Sequence, residues 1–540
     1  MSHSTAFPNL TPYQGHWVAL VQGQVAGVGE TGHAAALLAR RNRPKEKFTL
    51  LYVDSEGGEP LPLSPLLAEL RPHLAQLEIP IYLVGGAVRD ALMGRLSHDL
   101  DFVVPSKGIA TAFHLGNVLH QPAYPLDAER DTGRVVLADT TLDVACYRGP
   151  DLLADLQARD FTVNAIALPA AATRTSSLID PCHGQADLKA KIIRQASPEA
   201  ISDDPVRGLR AIRQAVQFGF TIESETGQAI VAAASTLNRV SAERCRDEFL
   251  KLLLTSAPHT ALQQMATYNL LPVLLPEVAA LTHIVQSPPH HEPVLEHTWS
   301  VLRWLVQVEQ WLRGTATTEH PLSAASKALA PYTHPLTDYL SRSVDGGLDG
   351  WTILRLGALF HDVGKAKTQT HEASGRIRFL DHDGVGAKMT GPVLERLRLS
   401  REAVRQVQTI VGGHMRPLFL LQSESPTPRA VYRFFKALGP NGVDVLLLSL
   451  ADHLATYGGV GDAAAWRKLC ALVEWFLNHY FHQHERTISP QPLLNGHQLM
   501  QELGLAPGPL VGQLLRLLEE AQATGEVSTI AEAMAWVRRQ

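Results

Sequence analysis

Two carboxylates one residue apart at the start of an apolar run, Asp99 and Asp101, are the first candidates for chemistry in this chain. Strand side chains alternate between two faces, so these two would point the same way and lie close together. Like charges held side by side are unfavourable unless a cation lies between them. Mg²⁺ prefers carboxylate oxygens and keeps room for phosphate oxygens, so the pair predicts a magnesium site.

The residues that precede this pair are suited to holding a phosphate chain. Gly85 and Gly86 end the apolar run that begins at Ile81, and Arg89 follows in a segment predicted as a helix. Glycines let the backbone approach a triphosphate closely, and the guanidinium group supplies a planar fork of donors. Strand, glycines, helix and second strand together predict transfer of a nucleotidyl group. For the Asp-X-Asp pattern alone, a solvated strand end is the alternative.

With these motifs the chain resembles the class II tRNA nucleotidyltransferases, the CCA-adding enzymes and their bacterial poly(A) polymerase relatives. The resemblance covers about residues 78–455 in four ordered motifs. It implies an α+β fold, with a catalytic head built on a mixed β-sheet, then a helical neck and an all-α HD-like domain. It also implies that the 3′-OH of tRNA attacks the α-phosphate of CTP, with Mg²⁺ on Asp99 and Asp101. The implied partners are tRNA, CTP and ATP, with no DNA.

A third carboxylate, Asp143, lies in the short apolar run 141–145, which is predicted as a strand. In nucleotidyltransferase-like folds such a strand often supplies a carboxylate that activates the attacking hydroxyl or binds metal. An aspartate on an edge strand that faces water is the alternative. We therefore treat Asp143 as a further candidate catalytic residue.

The segment from Arg159 to Ala165 matches the family pattern RRDFTxNA, with Ala158 in place of the first arginine. In the family this segment binds the triphosphate and ribose of the incoming nucleotide. The resemblance implies that Arg159 pairs with phosphate, while Asp160 and Asn164 recognise sugar hydroxyls. A capped, salt-bridged helix start is the structural alternative.

The next motif follows in the predicted neck, where Asp204 and Arg207 are three residues apart and would share a helix face. An aspartate beside an arginine presents acceptors and donors in a pattern like a base edge. The family's EDxxR motif uses this pair to recognise CTP and ATP without a template; here Asp203 replaces the leading glutamate. Arg210 and Arg213 would face the phosphates. A surface salt bridge is the alternative for such a pair considered alone.

A second set of candidate ligands resembles the HD-domain phosphohydrolase signature. Adjacent histidine and aspartate on one helix turn, with ligands from other helices, can hold one or two divalent transition metals such as Ni, Mn, Co or Zn. This predicts a metal-dependent phosphodiesterase or phosphatase acting on RNA ends or nucleotides, as a second activity or as the alternative main one. A poly(A) polymerase is a third possibility, and histidines with only structural roles are the fourth. The predicted ligands are His297, His361, Asp362, His382, His414 and Asp452.

One departure from the family pattern bears on specificity. CCA-adding relatives have a flexible loop of ten or more residues ahead of the RRDFT segment, and the loop helps the site to switch from CTP to ATP. Here only residues 149–152 separate Arg148 from Leu153. Enzymes that add only the two cytidines lack this loop, so the resemblance favours CC addition over complete CCA addition. Residues 127–133 could take over the role of the loop.

Composition limits the remaining possibilities. Four scattered cysteines without a CxxC pair are typical of a reducing compartment and argue against disulfides or a zinc ribbon. No leader or membrane-length apolar run is evident, which predicts a cytoplasmic protein with no membrane partner. Because the net charge is −5, a nucleic acid would need a local basic surface. The candidates for that surface are Arg396, Arg398, Arg401, Arg405, Arg416, Arg429, Arg433 and Lys436.

The elements that would position these residues form five predicted regions. They are a small α/β accessory unit at 1–60, the catalytic head at 66–195, the helical neck at 196–280, the HD domain at 283–455 and a helical C-terminal region at 456–540. A long inserted loop is predicted near 314–350, which is rich in Thr, Ser, Pro and Gly. Residues 27–32 spell GxGxxG, but the unit is too short for a dinucleotide fold, so these glycines predict a tight turn.

Overall fold

The computed structural model describes residues 8–97, 99–138, 140–315, 322–345, 347–422 and 426–540. His98, which precedes the carboxylate pair, lies outside the described residues. The chain forms two compact units, Met1–Ala233 and Ala234–Gln540. The boundary falls inside the region predicted as the neck, so the helices that carry Asp204 to Arg213 belong to the first unit.

The N-terminal part of the first unit is a three-stranded sheet of order β2-β1-β3 with one helix packed on it. The glycines of the GxGxxG pattern allow this packing, because a Cβ on Gly27 would lie 2.2 Å from the carbonyl oxygen of Ala35. The prediction of a tight turn was wrong for Gly27 and Gly29, which lie in the second strand, where close packing of the helix on the sheet requires glycine. The elements are β1 Trp17–Val21, β2 Gln24–Gly29, α1 Gly32–Asn42 and β3 Thr49–Tyr52.

A six-stranded mixed sheet of order β6-β7-β8-β5-β4-β9 forms the head, as the fold prediction requires. Its strands are β4 Tyr82–Val84, β5 Leu100–Val104, β6 Ala123–Asp127, β7 Thr132–Val136, β8 Thr141–Cys146 and β9 Ala167–Pro169. The helices are α2 Pro65–Leu74, α3 Gly86–Leu92, α4 Gly108–Leu119, α5 Leu152–Gln157 and α6 Gly184–Ala190. The unit ends with β10 Ile192–Ile193, α7 Ala200–Asp203, α8 Val206–Phe218, β11 Thr221–Ile222 and α9 Ser224–Ala233.

Strand β5 fixes the site because its two faces enter two different cores. Leu100, Phe102 and Val104 are buried in the larger core of the head. Val103 faces the other way and packs in a smaller core with Leu156. Asp101 shares the face of Val103, so the alternation of the strand directs this carboxylate away from the main core.

Within its described residues, the second unit is helical apart from one small hairpin of β12 Gln369–His371 and β13 Ile377–Phe379. Its first helices are α10 Ala242–Leu253, α11 Pro258–Thr267, α12 Leu271–Leu274, α13 Pro276–Ala279, α14 Val294–Leu312, α15 Ser323–Leu329, α16 Thr333–Ser341, α17 Gly350–Phe360 and α18 Lys365–Thr368. The rest are α19 His382–Arg396, α20 Arg401–Gly413, α21 Arg416–Leu420, α22 Pro428–Leu438, α23 Gly442–Thr456, α24 Ala463–His482, α25 His484–Thr487, α26 Gly496–Leu503, α27 Pro509–Ala523 and α28 Ile530–Val537.

The prediction of one long loop near 314–350 was wrong. Its described residues include helices α15 and α16, although 316–321 and 346 lie outside the described part of the chain. Leu329, Leu336 and Leu340 are buried, so apolar residues at helical spacing outweigh the turn-forming composition. Pro335 lies in the first turn of α16, where proline is tolerated.

One helical stretch, Pro428–Thr456, is long and apolar enough by composition to cross a membrane. In this fold 72% of its most apolar window is buried inside the protein. The apolar residues of this stretch, among them Val431, Phe435 and Leu447, thus contribute to the core of the second unit.

Candidate active site and metal cluster

The carboxylates of the head come together where β5 and β8 run in parallel. Asp101 on β5 is the register partner of Asp143 on β8, so the two side chains start from adjacent backbone positions. Asp99 lies just before β5, where its Oδ1 accepts hydrogen bonds of 3.1 Å from both the amide and the hydroxyl of Thr141. Burial and the negative charges of Asp143 and Asp99 raise the pKa of Asp101. A divalent cation would relieve this repulsion, so the carboxylate oxygens of these residues fit a magnesium site.

Asp143 already has a cationic partner. Arg134 on β7 donates two hydrogen bonds of 2.7 Å to its two carboxylate oxygens. The pair arises from strand register, because Arg134 lies opposite Asp143 in the antiparallel β7–β8 ladder. Asp143 therefore borders the site while its charge is shared with Arg134, a partner that motif analysis missed.

Gly85 brings the backbone against the charged groups of the site. It ends β4 with φ of +70°, and a Cβ there would lie 3.4 Å from both Oδ2 of Asp101 and Nη1 of Arg159. Arg159 is fixed in turn by Asp155, whose buried Oδ2 lies 2.9 Å from its Nη2. The predicted phosphate-binding glycine, carboxylate and arginine thus meet at one point. Gly86 follows as the first residue of α3.

Asp160 and Asn164 are buried in a polar network rather than exposed to a sugar. Asn164 accepts a 2.7 Å hydrogen bond from Nη1 of Arg89 and donates one of 2.9 Å to Asp160. Asp160 also accepts a 3.2 Å hydrogen bond from Nη1 of Arg210. Burial acts to raise the pKa of Asp160, but Arg210, Asn164 and a backbone amide outweigh it and hold that pKa below its usual value. The two residues link two candidate phosphate-binding arginines.

Helix α8 supplies one face of this network from successive turns. Arg207 donates to the backbone carbonyls of Ala158, Arg159 and Ala200 at 3.0–3.2 Å, and its Nε lies 3.9 Å from the carboxylate of Asp204. Asp204 itself precedes the helix, so the pair is adjacent although it does not lie on one continuous helix. Further along α8, Gln214 accepts from Asn164 at 3.3 Å, and the ring of Phe218 lies 4.5 Å from the guanidinium carbon of Arg89. Arg213 precedes Gln214 on the same helix and donates a 3.2 Å hydrogen bond to the side chain of Gln217.

In the second unit, the carboxylate of Asp362 lies at the centre of the predicted histidine cluster. Its Oδ2 is 3.2 Å from Nε2 of His361 and 3.7 Å from Nε2 of His297. Its Oδ1 is 3.3 Å from Nε2 of His382 and 3.8 Å from Nε2 of His414. The described residues offer two sets of ligand atoms within 4.8 Å of one another, namely His297, His361 and Asp452, and Asp362, His382 and His414.

The orientation of the imidazoles fits a metal site. In His361, His382 and His414, Nδ1 lies 2.8, 2.7 and 2.7 Å from the carbonyl of the residue three positions earlier. Such contacts fix the ring and leave Nε2 free to bind a metal. The buried Nε2 of His361 contacts Oδ2 of Asp362 at 3.2 Å but, among the described residues, forms no well-aligned hydrogen bond, so a metal ion between the two groups would satisfy both.

Charge in this cluster favours the metal-binding forms of Asp362 and His414. Burial acts to raise the pKa of Asp362, but His361 and Lys365 hold that pKa well below its usual value. Burial and the neighbouring His361 lower the pKa of His414 to about 4, so its imidazole is neutral at pH 7. Anionic carboxylates and neutral imidazoles are the ligand states of divalent metals. In His361, burial acts to lower the pKa but Asp362 and Asp452 outweigh it and raise that pKa, so metal binding there would displace a proton.

Motif analysis missed two residues beside the cluster. Lys365 donates a 2.7 Å hydrogen bond to Asp362, and the ring of His290 lies 5.1 Å from that of His297. Both line a cavity of about 500 Å³ that opens onto Asp362 and Asp452. Lys365 was visible in the sequence as part of the HD signature, whereas nothing in the pattern around His290 marks it.

The predicted basic surface is largely neutralised. Arg396 pairs with Glu277, and Arg405 pairs with Glu402. Acidic residues of α27 pair with three further residues of the predicted basic surface. Arg429 and Arg433 form ion pairs with Glu520, and Lys436 forms one with Glu519. Most of these basic residues therefore belong to exposed helix faces whose charges are already paired, which is the alternative to a free surface for tRNA.

Profiles of known protein families match the regions that contain most of both sets of clustered side chains. The profile described as "Poly A polymerase head domain" matches residues 81–194, and "Probable RNA and SrmB-binding site of polymerase A" matches 219–282. An HD domain profile matches 348–457, and one for tRNA nucleotidyltransferase domain 2 matches 473–537. An A-adding tRNA nucleotidyltransferase of Deinococcus radiodurans is 35% identical over 482 residues, covering 87% of this chain and 97% of the relative. The chain belongs to the class II tRNA nucleotidyltransferases.

Other relatives of this nucleotidyltransferase differ in their named specificity. A CC-adding tRNA nucleotidyltransferase of Thermus thermophilus is 33% identical, covering 86% of this chain and 96% of the relative. A solved complex of a CCA-adding enzyme with ATP shares the fold at 20% identity, with a TM-score of 0.59 over 88% of this chain and 94% of that one. The family is thus established, while A-adding and CC-adding relatives are about equally similar.

Proposed function

We propose that the head adds cytidines to the 3′ end of tRNA without a template, using CTP. The observation that carries this proposal is the meeting of Gly85, Asp101 and Arg159 at one point, where a glycine turn, a carboxylate and a phosphate-binding arginine lie in contact distance. Asp99 and Asp101 would hold Mg²⁺, which when bound supplies the positive charge that stabilises the attacking oxygen and the leaving pyrophosphate. Because its proposed substrate is tRNA, we propose that the enzyme works in the cytoplasm.

The remaining residues would position the nucleotide. Arg159 would release part of its contact with Asp155 to bind the triphosphate, since a guanidinium group can serve two anions from its five donors. Arg89 and Arg210, held by Asn164 and Asp160, would bind phosphate from the other side. Asp204 and Arg207 would present their acceptors and donors to the base. Asp160 and Asn164 would recognise the sugar hydroxyls. They would use the same side-chain oxygens that accept hydrogen bonds from Arg210 and Arg89.

Incubation of the protein with a tRNA truncated before its 3′ terminus and with labelled CTP tests the proposal. We expect incorporation by the wild type and a loss of at least about 100-fold in Asp99→Ala, because a metal ligand is removed. Glu69→Gln, an exposed charge change in α2, should behave as the wild type. Absence of incorporation, or an Asp99→Ala variant indistinguishable from the wild type, would contradict it.

We further propose CC rather than CCA specificity. The link between β8 and α5 is short and fixed, because Asp155 accepts a 3.1 Å hydrogen bond from the amide of Arg148 and Asp151 caps α5 through the amide of Ala154. A Cβ on Gly149 would lie 2.6 Å from Cβ of Ala154, so this link packs tightly against the helix. Such a link offers little freedom for Asp204 and Arg207 to change from cytosine to adenine.

Three tRNA substrates, ending at the discriminator base, in C and in CC, separate the specificities when each is given one nucleotide at a time. We expect CTP addition to the first two and no efficient addition of ATP to the third. Efficient ATP addition to the CC end would overturn CC specificity while leaving nucleotidyl transfer intact.

A second activity is favoured by the two close ligand sets, in which the Nε2 of His361 faces the carboxylate of Asp362 without a well-aligned hydrogen bond. We propose that the HD domain holds one or two divalent transition metals and hydrolyses phosphoesters at RNA ends or in nucleotides. The metal would supply Lewis-acid chemistry, while Lys365 would hold the negative charge of Asp362 or of a phosphate. Metal analysis after exposure to Ni, Mn, Co or Zn, with hydrolysis of a 2′,3′-cyclic nucleotide, tests this. Absence of both metal and hydrolysis would refute it.

The domain limits remain proposals as well. We propose that the head at 66–195 and the neck at 196–280 form the transferase, and that the HD domain at 283–455 works separately. The accessory unit at 1–60 and the helical region at 456–540 flank them. Limited proteolysis should cut first near these limits, and cleavage inside the head would contradict them.

A further inference from the structure

A small cavity in the first unit lies at the other end of β4 from the catalytic carboxylates. It has a volume of about 200 Å³ and lies between the N-terminal three-stranded sheet and the start of β4. Three aromatic side chains line it, namely Trp17 of β1, Tyr52 of β3 and Tyr82 of β4. The nucleotidyl-transfer chemistry uses none of these residues.

The aromatic residues are held in place by strand pairing. Trp17 and Tyr52 are register partners on β1 and β3, and their ring centroids are 5.7 Å apart at an interplanar angle of 71°. Tyr82, the first residue of β4, also lines the cavity. The faces of aromatic rings carry partial negative charge and attract cations, most strongly in a desolvated setting.

A carboxylate without a cationic partner lines the same cavity. Throughout the part of the chain that the structure describes, no residue donates a hydrogen bond to Glu30 or forms an ion pair with it. The lining includes no lysine or arginine, and His16 is its one basic residue. Burial and the charge of Glu30 raise the pKa of Tyr82, so its hydroxyl stays neutral at pH 7. Glu30 is exposed to solvent, so the cavity combines a carboxylate at its edge with aromatic residues in its lining.

The GxGxxG pattern also supplies part of the lining. Its glycines serve packing, since a Cβ on Gly32 would lie 2.1 Å from the carbonyl of Ala75. Glu30 and Thr31 between them are left to line the cavity. Thr31 caps α1 by accepting from the amide of Ala34, and Glu30 stands beside the same helix end. An anion at this helix start would meet the carboxylate of Glu30.

We propose that this cavity binds a small organic cation that carries a substituted ammonium group. The aromatic walls and the single carboxylate suit such a group. A hard metal ion would need about six oxygen ligands, and Glu30 supplies the one carboxylate of the lining. This inference is independent of the proposed transferase function, because no residue of the cavity belongs to that site.

Titration calorimetry of the full chain with choline chloride tests the proposal, with 3,3-dimethylbutan-1-ol as the neutral isostere. We expect saturable binding of choline and none of the alcohol. Glu30→Gln should weaken choline binding at least about fivefold. Glu46→Gln, which changes a half-buried charge that pairs with Arg43 outside the cavity, should leave the affinity unchanged. CTP addition should be unaffected in both variants, which also shows that they are folded.

Tryptophan fluorescence supplies a second readout, because choline should alter the emission of the wild type and not that of Trp17→Phe. Several results would overturn the proposal. They are no saturable binding of choline, equal binding of the alcohol, preferential binding of sulfate, Mg²⁺ competing at equal concentration, and unchanged choline affinity in Glu30→Gln.

Discussion

At the scale of single residues, four arginines near the proposed nucleotide site already have side-chain partners before any substrate is present. These pairs orient each side chain, and they also mean that a nucleotide must compete for the donors it binds. The pairs are Arg134 with Asp143, Arg159 with Asp155, Arg210 with Asp160, and Arg89 with Asn164. Because these groups are partly or fully buried, their replacement should affect stability as well as catalysis.

Asp160→Asn tests the stabilising role of the buried network. The pKa of Asp160 is held below 3.8 in the folded protein, so the ionised carboxylate contributes stability above that value, and this contribution is lost as the pH falls through the folded pKa. We expect the variant to be less stable at pH 7 by about 1–3 kcal/mol. The difference should shrink below about pH 4, near the unfolded pKa. Urea unfolding at pH 7 and pH 3 measures both; equal stability at pH 7 would contradict the network.

Gly85→Ala tests the contact between the glycine turn and the charged site, with Gly94→Ala as a matched control. Both glycines have φ near +70°, but a Cβ on Gly94 would meet nothing within 4 Å. Both variants place a side chain at positive φ, and at Gly85, where ψ is −133°, the backbone strain should cost about 1–3 kcal/mol. Only Gly85→Ala should raise the KM for CTP, at least about threefold, because its methyl group crowds Asp101 and Arg159. Equal kinetics in the two variants would contradict this account.

At the scale of elements, α8 is the scaffold of the proposed nucleotide site. Residues 207, 210, 214 and 218 follow one another at intervals of three or four, so they share one helix face. On this face Arg207 donates to backbone carbonyls. Arg210 and Gln214 form hydrogen bonds with Asp160 and Asn164 of the buried network. The ring of Phe218 contacts the guanidinium group of Arg89. The sequence contains this spacing, but recognising its function required the partners from α3 and the RRDFT segment.

Phe218→Leu tests the positioning of Arg89 by this helix. Removing the ring 4.5 Å from the guanidinium carbon should cost a cation–π contact of about 0.5–2 kcal/mol. We expect the KM for CTP to rise about threefold to tenfold with little change in tRNA affinity. Phe113→Leu, at an exposed position on α4, serves as the control. Steady-state kinetics with CTP measures this effect. Equal KM values for CTP in Phe218→Leu and Phe113→Leu would contradict the proposed positioning of Arg89.

Local patterns made the head strands and the histidine cluster predictable. Strand β5 follows from the alternation of Leu100, Phe102 and Val104, and the HD ligands follow from their order in the chain. Pairings between distant segments were not predictable. Arg134 is opposite Asp143 only once β7 and β8 are in register, and α15 was predicted as loop because composition conceals its buried face.

At the scale of the whole molecule, the two units carry different constellations. The first holds carboxylates and arginines suited to nucleotidyl transfer, and the second holds histidines and carboxylates suited to transition metals. Family profiles match both regions. We therefore propose that nucleotide addition belongs to the head and neck of the first part of the chain, and that metal-dependent hydrolysis belongs to the HD domain.

The most direct test of this division measures CTP addition and bound transition metal in two variants side by side. Asp101→Asn should lose at least about 100-fold in the rate of CTP addition to truncated tRNA while retaining the transition metal of the HD domain. His361→Ala should lose transition metal and hydrolysis while adding cytidine at the rate of the wild type. Full activity of Asp101→Asn, or loss of cytidine addition in His361→Ala, would contradict the account.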